Sequence, residues 1–333
     1  MPLVSVVLPV RTAAATIDRA IASIRRQTFP DWELIVVDDG SADDCAGRVR
    51  AIAAAEPRIR LVEQRHAGVV DALNCALGLA RGELIARMDA DDESHPERLA
   101  EQVALLAARP EVGLASCLVD FGGDRRVSAG YALHVDWINS LIAPAEIALN
   151  RFIESPLAHP SVMFRRALIE RWGGYRAGDF PEDYELWLRW LEAGVAMAKV
   201  PRALLTWHDT PSRLSRVDPR YAVEKFFQVK AAYLAREATR RRLGRRLLVW
   251  GAGRPTRKRA AYLGLPIDGY VDIDPRKIGR TIAGRPVMAP AALPSASSVF
   301  VLAYVANRDA RTLIRQELAR HSFEEGRDFL SCA

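Results

Sequence analysis

The stretch Ile85-Ala86-Arg87-Met88-Asp89-Ala90-Asp91-Asp92 puts three carboxylates directly after an apolar run, residues 84–88, that reads as a buried strand. In an open α/β sheet, the carboxyl end of a strand is where ligands bind. Carboxylates this close repel one another unless a positive charge lies between them. A hard divalent cation with oxygen ligands, together with a bound diphosphate, answers that repulsion. The bland alternative is a solvated acidic turn, because Ser94 or His95 followed by Pro96 is a helix start. A second acidic pair stands in Asp38-Asp39-Gly40-Ser41, after the apolar run at 32–37. A carboxylate there can accept an N–H of a pyrimidine base or a ribose hydroxyl, and Gly40 lets the backbone turn or approach closely. The same residues also make a common strand–turn sequence.

The elements that must position these clusters alternate. Strands at 3–10, 32–37, 59–62 and 84–88 are interleaved with helical repeats at Ile17, Ala20, Ile21 and Ile24, and at Val69, Leu73, Ala76, Leu77 and Ala80. This predicts an α/β fold with a mostly parallel sheet covered on both faces. A length of 333 residues predicts two domains, or one large one with an appendage, and 50% hydrophobic with 26% charged residues suits a sizeable core. No apolar run approaches a membrane span, and the N-terminus lacks a signal peptide's basic start and cleavage site, so a cytoplasmic location is expected. Cys45, Cys75, Cys117 and Cys332 are scattered, which suggests neither a zinc knuckle nor a disulfide framework. The net charge of +6, nearly all from Arg, reads as a solvated surface rather than a nucleic-acid groove. A polyanionic ligand or an anionic membrane surface stays open as its partner.

The run 5–10 (Ser-Val-Val-Leu-Pro-Val), then 34–43 with its Asp38-Asp39-Gly40-Ser41, then His66-Ala67-Gly68 with Ala72-Leu73-Asn74, then Gly82-Glu83-Leu84-Ile85 leading to Met88-Asp89-Ala90-Asp91-Asp92, resembles the nucleotide-binding half of glycosyltransferase family 2. These are inverting sugar transferases. The resemblance covers roughly the first hundred residues. It implies a GT-A nucleotide-diphospho-sugar transferase fold and a donor site built from Pro9, Val10, Arg11, Asp38, Asp39, His66, Gly68, Asn74, Asp89, Ala90 and Asp91. Within it, Asp39 would contact the base with Asp38 in support, and Asp89 would contact the ribose or donor sugar. Asp91 would be the principal ligand of Mn²⁺ or Mg²⁺ in a DxD motif, with Asp92 close by. One departure is visible: the family often has Tyr or Phe and then Asn after the first strand, where this chain has Arg11-Thr12. Arg11 is then left to approach a phosphate or to be solvated.

Farther along, a helix is expected at 96–109 and a strand at 112–120. A loop or hairpin is expected at 122–130, then a mixed segment at 136–151. The runs 159–166 and Trp172-Gly173-Gly174-Tyr175 resemble the family's approach to its catalytic acid, and Glu182-Asp183 matches its Glu-Asp motif. Acids in a helix's first turn are also favoured by the helix dipole. The resemblance implies that Asp183 is the general base for an acceptor hydroxyl, with Glu182 the alternative or an acceptor contact. A strand is expected to end at Val200-Pro201. In the region resembling the family beyond the acid, His208 is a candidate to complete the metal shell or touch the diphosphate, against an ordinary structural histidine. Arg213, in Ser212-Arg213-Leu214-Ser215, is a candidate phosphate clamp.

An Arg-dense stretch at 236–246 marks a boundary between a GT-A domain at 1–240 and a module at 241–333. It reads as a solvated helix end, or as a surface for anionic lipid bearing a lipid-linked acceptor. The module resembles a small Rossmann-like unit with strands at 247–250, 267–271 and 298–304. Its candidate nucleotide site is Gly251, Gly253 and Asp272. The third glycine of the fingerprint is replaced by Thr256 and Pro255 interrupts the turn, which favours a structural, regulatory or assembly role. Together these features predict a metal-dependent inverting glycosyltransferase. It would move a sugar from a UDP or dTDP donor to a hydroxyl of a surface glycan or glycolipid. A nucleotidyltransferase and a nucleotide-sugar-binding scaffold without turnover are the alternatives.

Overall fold

The computed structural model describes residues 1–210 and 213–333; Ser212 of the phosphate-clamp run lies outside the described residues. The chain divides into two compact units. The first comprises Met1–Ala148, Pro156–Gly178 and Glu182–Val217; the second comprises Leu149–Ser155, Asp179–Pro181 and Asp218–Ala333.

The first unit follows the alternation in the sequence: β1 (Val4–Val10), α1 (Ile17–Arg25), β2 (Trp32–Asp39), α2 (Cys45–Ala55), β3 (Ile59–Gln64), α3 (Val69–Leu79), β4 (Leu84–Arg87), β5 (Glu93–Ser94), α4 (Arg98–Ala108) and β6 (Val112–Gly122). Then come α5 (Ala129–Asn139), α6 (Pro144–Asn150), β7 (Met163–Arg165), α7 (Ala167–Trp172), α8 (Glu182–Glu192), β8 (Ala196–His208) and α9 (Leu214–Val217). Eight strands form one sheet in the order β3-β2-β1-β4-β7-β6-β8-β5. β3, β2, β1 and β4 run parallel, and β6 is parallel to β8; β7 is antiparallel to both of its neighbours. Strands β1 and β2 are almost wholly buried because helices cover both faces, which is why they read as continuous apolar runs. The parallel order sends the ends of β2 and β4, and so both acidic clusters, to the same edge of the sheet.

Two expectations change here. The strand expected to stop at Val200-Pro201 runs on to His208. Cys117 pairs with Val200 and Leu118 with Ala203, so Pro201 and Arg202 form a bulge that spares proline a ladder bond. The loop expected at 122–130 is confined to 123–128, because β6 runs to Gly122 and helix α5, with the buried stripe Ala132, Val135 and Ile138, starts at Ala129.

The second unit contains α10 (Val223–Arg242), β9 (Arg246–Trp250), α11 (Arg254–Ala261), β10 (Gly269–Val271), β11 (Thr281–Ile282), β12 (Arg285–Met288), β13 (Val299–Ala303), α12 (Arg308–Arg320) and β14 (Phe329–Ser331). Its sheet has the order β11-β12-β10-β9-β13-β14, parallel except for the β11–β12 hairpin. Helix α10 packs inside this unit. The buried Lys230 donates to the carbonyls of Phe152 (2.7 Å), Ile153 (3.1 Å) and Cys332 (2.7 Å), which ties the short 149–155 segment to the module. Among the described residues, no helix is long and apolar enough to cross a membrane.

Candidate active site

The end of β4 rests on a buried polar floor. Arg98, wholly buried at the start of α4, donates to the Arg87 carbonyl (2.6 Å), Ser94 Oγ (2.7 Å) and Gln102 Oε1 (3.2 Å). Gln102 in turn donates to the Ala115 and Ser161 carbonyls. The chain that leaves Arg87 is thereby held rigidly, and its next residues present the three aspartates. Asp89 Oδ1 accepts from Arg87 at 2.7 Å. Asp92 is fully buried; its Oδ1 accepts from the His208 backbone N–H at 2.8 Å, and its Oδ2 has no partner. Asp89, Asp91 and Asp92 each bring one oxygen to within 4.8 Å of the others.

Their protonation follows from this crowding. Burial pushes Asp92 well above the usual carboxylate range, with Asp89 and Asp91 adding to the shift. Burial and then Asp89 raise Asp91. On Asp89 burial is the largest influence and acts upward, but Arg87, His159 and Arg213 together hold that carboxyl low. Three carboxylate oxygens this close, with an unpartnered buried oxygen on Asp92, are hard donors of the kind that suits a divalent cation such as Mn²⁺ or Mg²⁺. The ring of His208 lies instead against Glu93 Oε1 at 3.2 Å, and the residue meets the aspartates through its backbone. Arg213 stacks over Trp207 at 4.1 Å, and its charge acts on all three aspartates.

At the end of β2, Asp39 is fully engaged. It accepts from Gln64 Nε2 (2.8 Å), His66 Nδ1 (2.7 Å) and the backbone N–H groups of Ala67 (2.8 Å) and Gly68 (2.9 Å). The carboxylate therefore fastens the 64–68 loop, and these bonds hold it low against the opposing effect of burial. Asp38 accepts from the Ser41 N–H at 2.7 Å and keeps a buried, unpartnered Oδ2. Thr12 takes a left-handed backbone, φ 53°, and its N–H donates to Ser41 Oγ at 2.8 Å. The Arg11-Thr12 departure thus locks the loop after β1 to the loop after β2, with Arg11 exposed. Gly40, at φ 72°, passes so close to His66 that a Cβ would lie 3.0 Å from its backbone nitrogen. Pro9, Val10 and Ala90 contribute backbone at the ends of β1 and β4. Asn74 does something else: its amide makes both hydrogen bonds to the Tyr175 backbone, at 2.9 and 3.1 Å.

Helix α8 carries the Glu182–Asp183 pair. Glu182 is buried and Asp183 half-buried, with Asp183 Oδ1 accepting from the Tyr184 N–H at 2.7 Å. Burial, and then the charge of Glu182, push Asp183 up to about 7. The helix is fixed by Arg189, which pairs with Glu185 and donates to the carbonyls of Trp172, Gly173 (3.1 Å) and Gly174 (2.6 Å). Next to that turn, Tyr175 OH meets His159 Nε2 at 2.7 Å, and His159 packs edge-on against Trp187. Burial and Arg87 hold His159 well below its ordinary range, so the imidazole is neutral at pH 7. Arg189→Ala would leave Glu185 without its buried partner, with Arg176 still at 3.4 Å, and would take the guanidinium donor from three carbonyls. It should cost about 3 kcal/mol of stability, read as a lower denaturant midpoint; a change below about 0.5 kcal/mol would show that the turn does not depend on it.

In the second unit, the candidate nucleotide residues hold their own turn. Gly251 adopts φ 108°, and a Cβ there would lie 3.0 Å from Thr256 Oγ1. Gly253 caps α11. Asp272 accepts from the Ala252 N–H (2.8 Å), the Asp274 N–H (2.9 Å) and Lys277 (3.1 Å). The carboxylate of the candidate nucleotide site is already spent on the loops around it.

The family model of Glycosyl transferase family 2 matches residues 5–173, which contain both acidic clusters and the floor beneath them. The chain belongs to glycosyltransferase family 2. This family 2 chain is 32% identical over 246 residues to protein y4gI of Sinorhizobium fredii, covering 71% of the chain but only 26% of that relative. It is 29% identical to the UDP-Glc:alpha-D-GlcNAc-diphosphoundecaprenol beta-1,3-glucosyltransferase WfgD of Escherichia coli, covering 56% of the chain and 68% of WfgD. Its fold is that of the mannosyltransferase PcManGT from Pyrobaculum calidifontis, solved with GDP-Man and Mn²⁺. The TM-score is 0.51 at 22% identity, over 98% of this chain and 82% of that one.

Proposed function

We propose that this family 2 chain is a metal-dependent inverting glycosyltransferase that uses a nucleoside-diphosphate sugar, a UDP or dTDP sugar first among the candidates. The observation that carries the reading is the convergence of Asp89, Asp91 and Asp92 within 4.8 Å, at the same sheet edge as Asp38 and Asp39. Asp91 and the free oxygen of Asp92 would hold Mn²⁺ or Mg²⁺. When bound, the metal neutralises the charge that develops on a departing diphosphate. Arg213 adds a fixed positive charge on the same side. Asp89 offers its remaining oxygen to a donor hydroxyl.

Asp183 takes the proton of an acceptor hydroxyl as the new C–O bond forms and the bond to the diphosphate breaks. One displacement by one nucleophile inverts the anomeric carbon. The lipid-linked acceptor in WfgD's name supports a lipid-linked acceptor reached from the cytoplasm by peripheral contact with a membrane; within the Arg-dense stretch, Arg240, Arg241 and Arg245 are paired with Glu237 and Asp328. Release of nucleoside diphosphate and NMR of the product's anomeric configuration test the reading. Retained configuration would rule out the single displacement.

The state of Asp183 fixes the pH dependence. A base works only when deprotonated, and Asp183 titrates at about 7. kcat/KM should therefore level off above about pH 8 and fall about tenfold per unit well below 7. A flat profile down to pH 5 would assign the base to a group with an ordinary carboxyl pKa.

A further inference from the structure

Arg87 ends β4 inside the protein with only 2% of its surface exposed, where a strand between two sheet neighbours would normally carry an aliphatic side chain. Its guanidinium donates to Asp89 Oδ1 at 2.7 Å and to the Met88 carbonyl, while its Nε is buried with no partner. The carbonyl of the same residue is anchored by Arg98, and its backbone N–H donates to the Val162 carbonyl at 2.9 Å. A buried cation left with an unused donor is not there for packing.

Its surroundings give the reason. The charge of Arg87 is felt at Asp89 and Asp91 and also at Glu182, Asp183, His159 and Tyr175. Arg213, half-buried on the segment that follows β8, also acts on all three aspartates, and the buried Arg98 acts on Asp92. Without metal, three carboxylates within 4.8 Å need a permanent countercharge, and a buried, hydrogen-bonded guanidinium supplies one at fixed geometry.

We propose that Arg87 is the resident counter-ion of the donor site. It pins one oxygen of Asp89 so that the other faces the ligand, and it partly cancels the negative field, so that a divalent metal binds weakly alone and firmly only with the nucleotide diphosphate that comes with it. The anion of the diphosphate restores the attraction that Arg87 withholds from the bare metal. This rests on the metal-dependent reading given above, and Arg87 is a positioning residue that touches neither the acceptor nor the reacting carbon.

Mn²⁺ binding by the full chain, titrated alone and with saturating UDP, tests it in wild type, Arg87→Met and Arg87→Lys. Arg87→Met should bind Mn²⁺ alone about tenfold more tightly. The enhancement of Mn²⁺ affinity by UDP should shrink by a similar factor. Arg87→Lys keeps the charge and should stay within about threefold of wild type for Mn²⁺ alone. A misfolded site would weaken Mn²⁺ binding, so tightening is a sign that structural damage cannot imitate. Unchanged or weaker Mn²⁺ binding by Arg87→Met, with Arg87→Lys behaving the same way, would overturn the counter-ion role and leave the metal site standing. No Mn²⁺ binding by any of the three, with or without UDP, would overturn both readings.

Discussion

Asp183→Asn should lower glycosyl transfer by about a thousandfold while leaving nucleotide affinity within a factor of about three. The substitution is nearly isosteric, and the amide oxygen can still accept the Tyr184 N–H that Asp183 Oδ1 accepts now. What it removes is the proton acceptor. The same variant should be more stable than wild type at neutral pH. Asp183 titrates at about 7 in the fold, above its ordinary value of 3.8, because burial and then Glu182 oppose its charge. Between those two values the folded chain binds more protons than the unfolded one, so this group's contribution to stability falls as pH rises through the window. Asparagine carries no such cost. The melting temperature of Asp183→Asn should exceed wild type by a few degrees at pH 8, with the gap closing near pH 4. Equal loss of transfer and of nucleotide binding would remove Asp183 from the role of base.

Asp91→Ala should act on the other half of the reaction. It takes one hard oxygen from a set of three and leaves Asp92 in place on the His208 N–H, so the turn keeps its shape. Mn²⁺-dependent binding of the nucleotide should weaken more than about a hundredfold, and transfer should fall with it. Metal-independent binding at the Asp39 end should change little, because the 64–68 loop is fastened by bonds that do not involve Asp91. The two variants therefore separate by readout: Asp183→Asn keeps the metal–nucleotide complex and loses transfer, whereas Asp91→Ala loses both. Nucleotide binding that still responds fully to Mn²⁺ in Asp91→Ala would move the metal to another set of ligands.

The acidic clusters were legible because buried parallel strands leave continuous apolar runs, and the residue that ends each run lies at the ligand-binding edge. Strands β1 to β4 and the positions of Asp38, Asp39, Asp89, Asp91 and Asp92 follow from that pattern. The supporting shell was less legible, since its partners meet only through the fold. Asn74 clamps the backbone of a residue 101 positions away, and Gln102 reaches a carbonyl 59 positions away. Spacing along the chain carries no trace of such contacts. Arg87 did leave a trace, as a lone cation within an apolar strand, and could have been singled out. His208 shows the opposite failure: the residue type suggested a ligand ring, but the contact with Asp92 is made by its backbone N–H, which any residue but proline could supply. In the second unit, β12 and β14 escaped notice because one is Arg-Pro-Val-Met and the other only three residues long.

Thermal stabilisation of the wild-type chain by a panel of nucleotides, with and without Mn²⁺, tests the central claim most directly. The panel comprises UDP, dTDP, GDP, their sugars, and NAD(P). Stabilisation by one nucleoside diphosphate and its sugars that requires Mn²⁺ is the expected result, and it would name the donor. Stabilisation by NAD(P) alone, indifferent to Mn²⁺, would contradict a metal-dependent donor site at Asp89, Asp91 and Asp92.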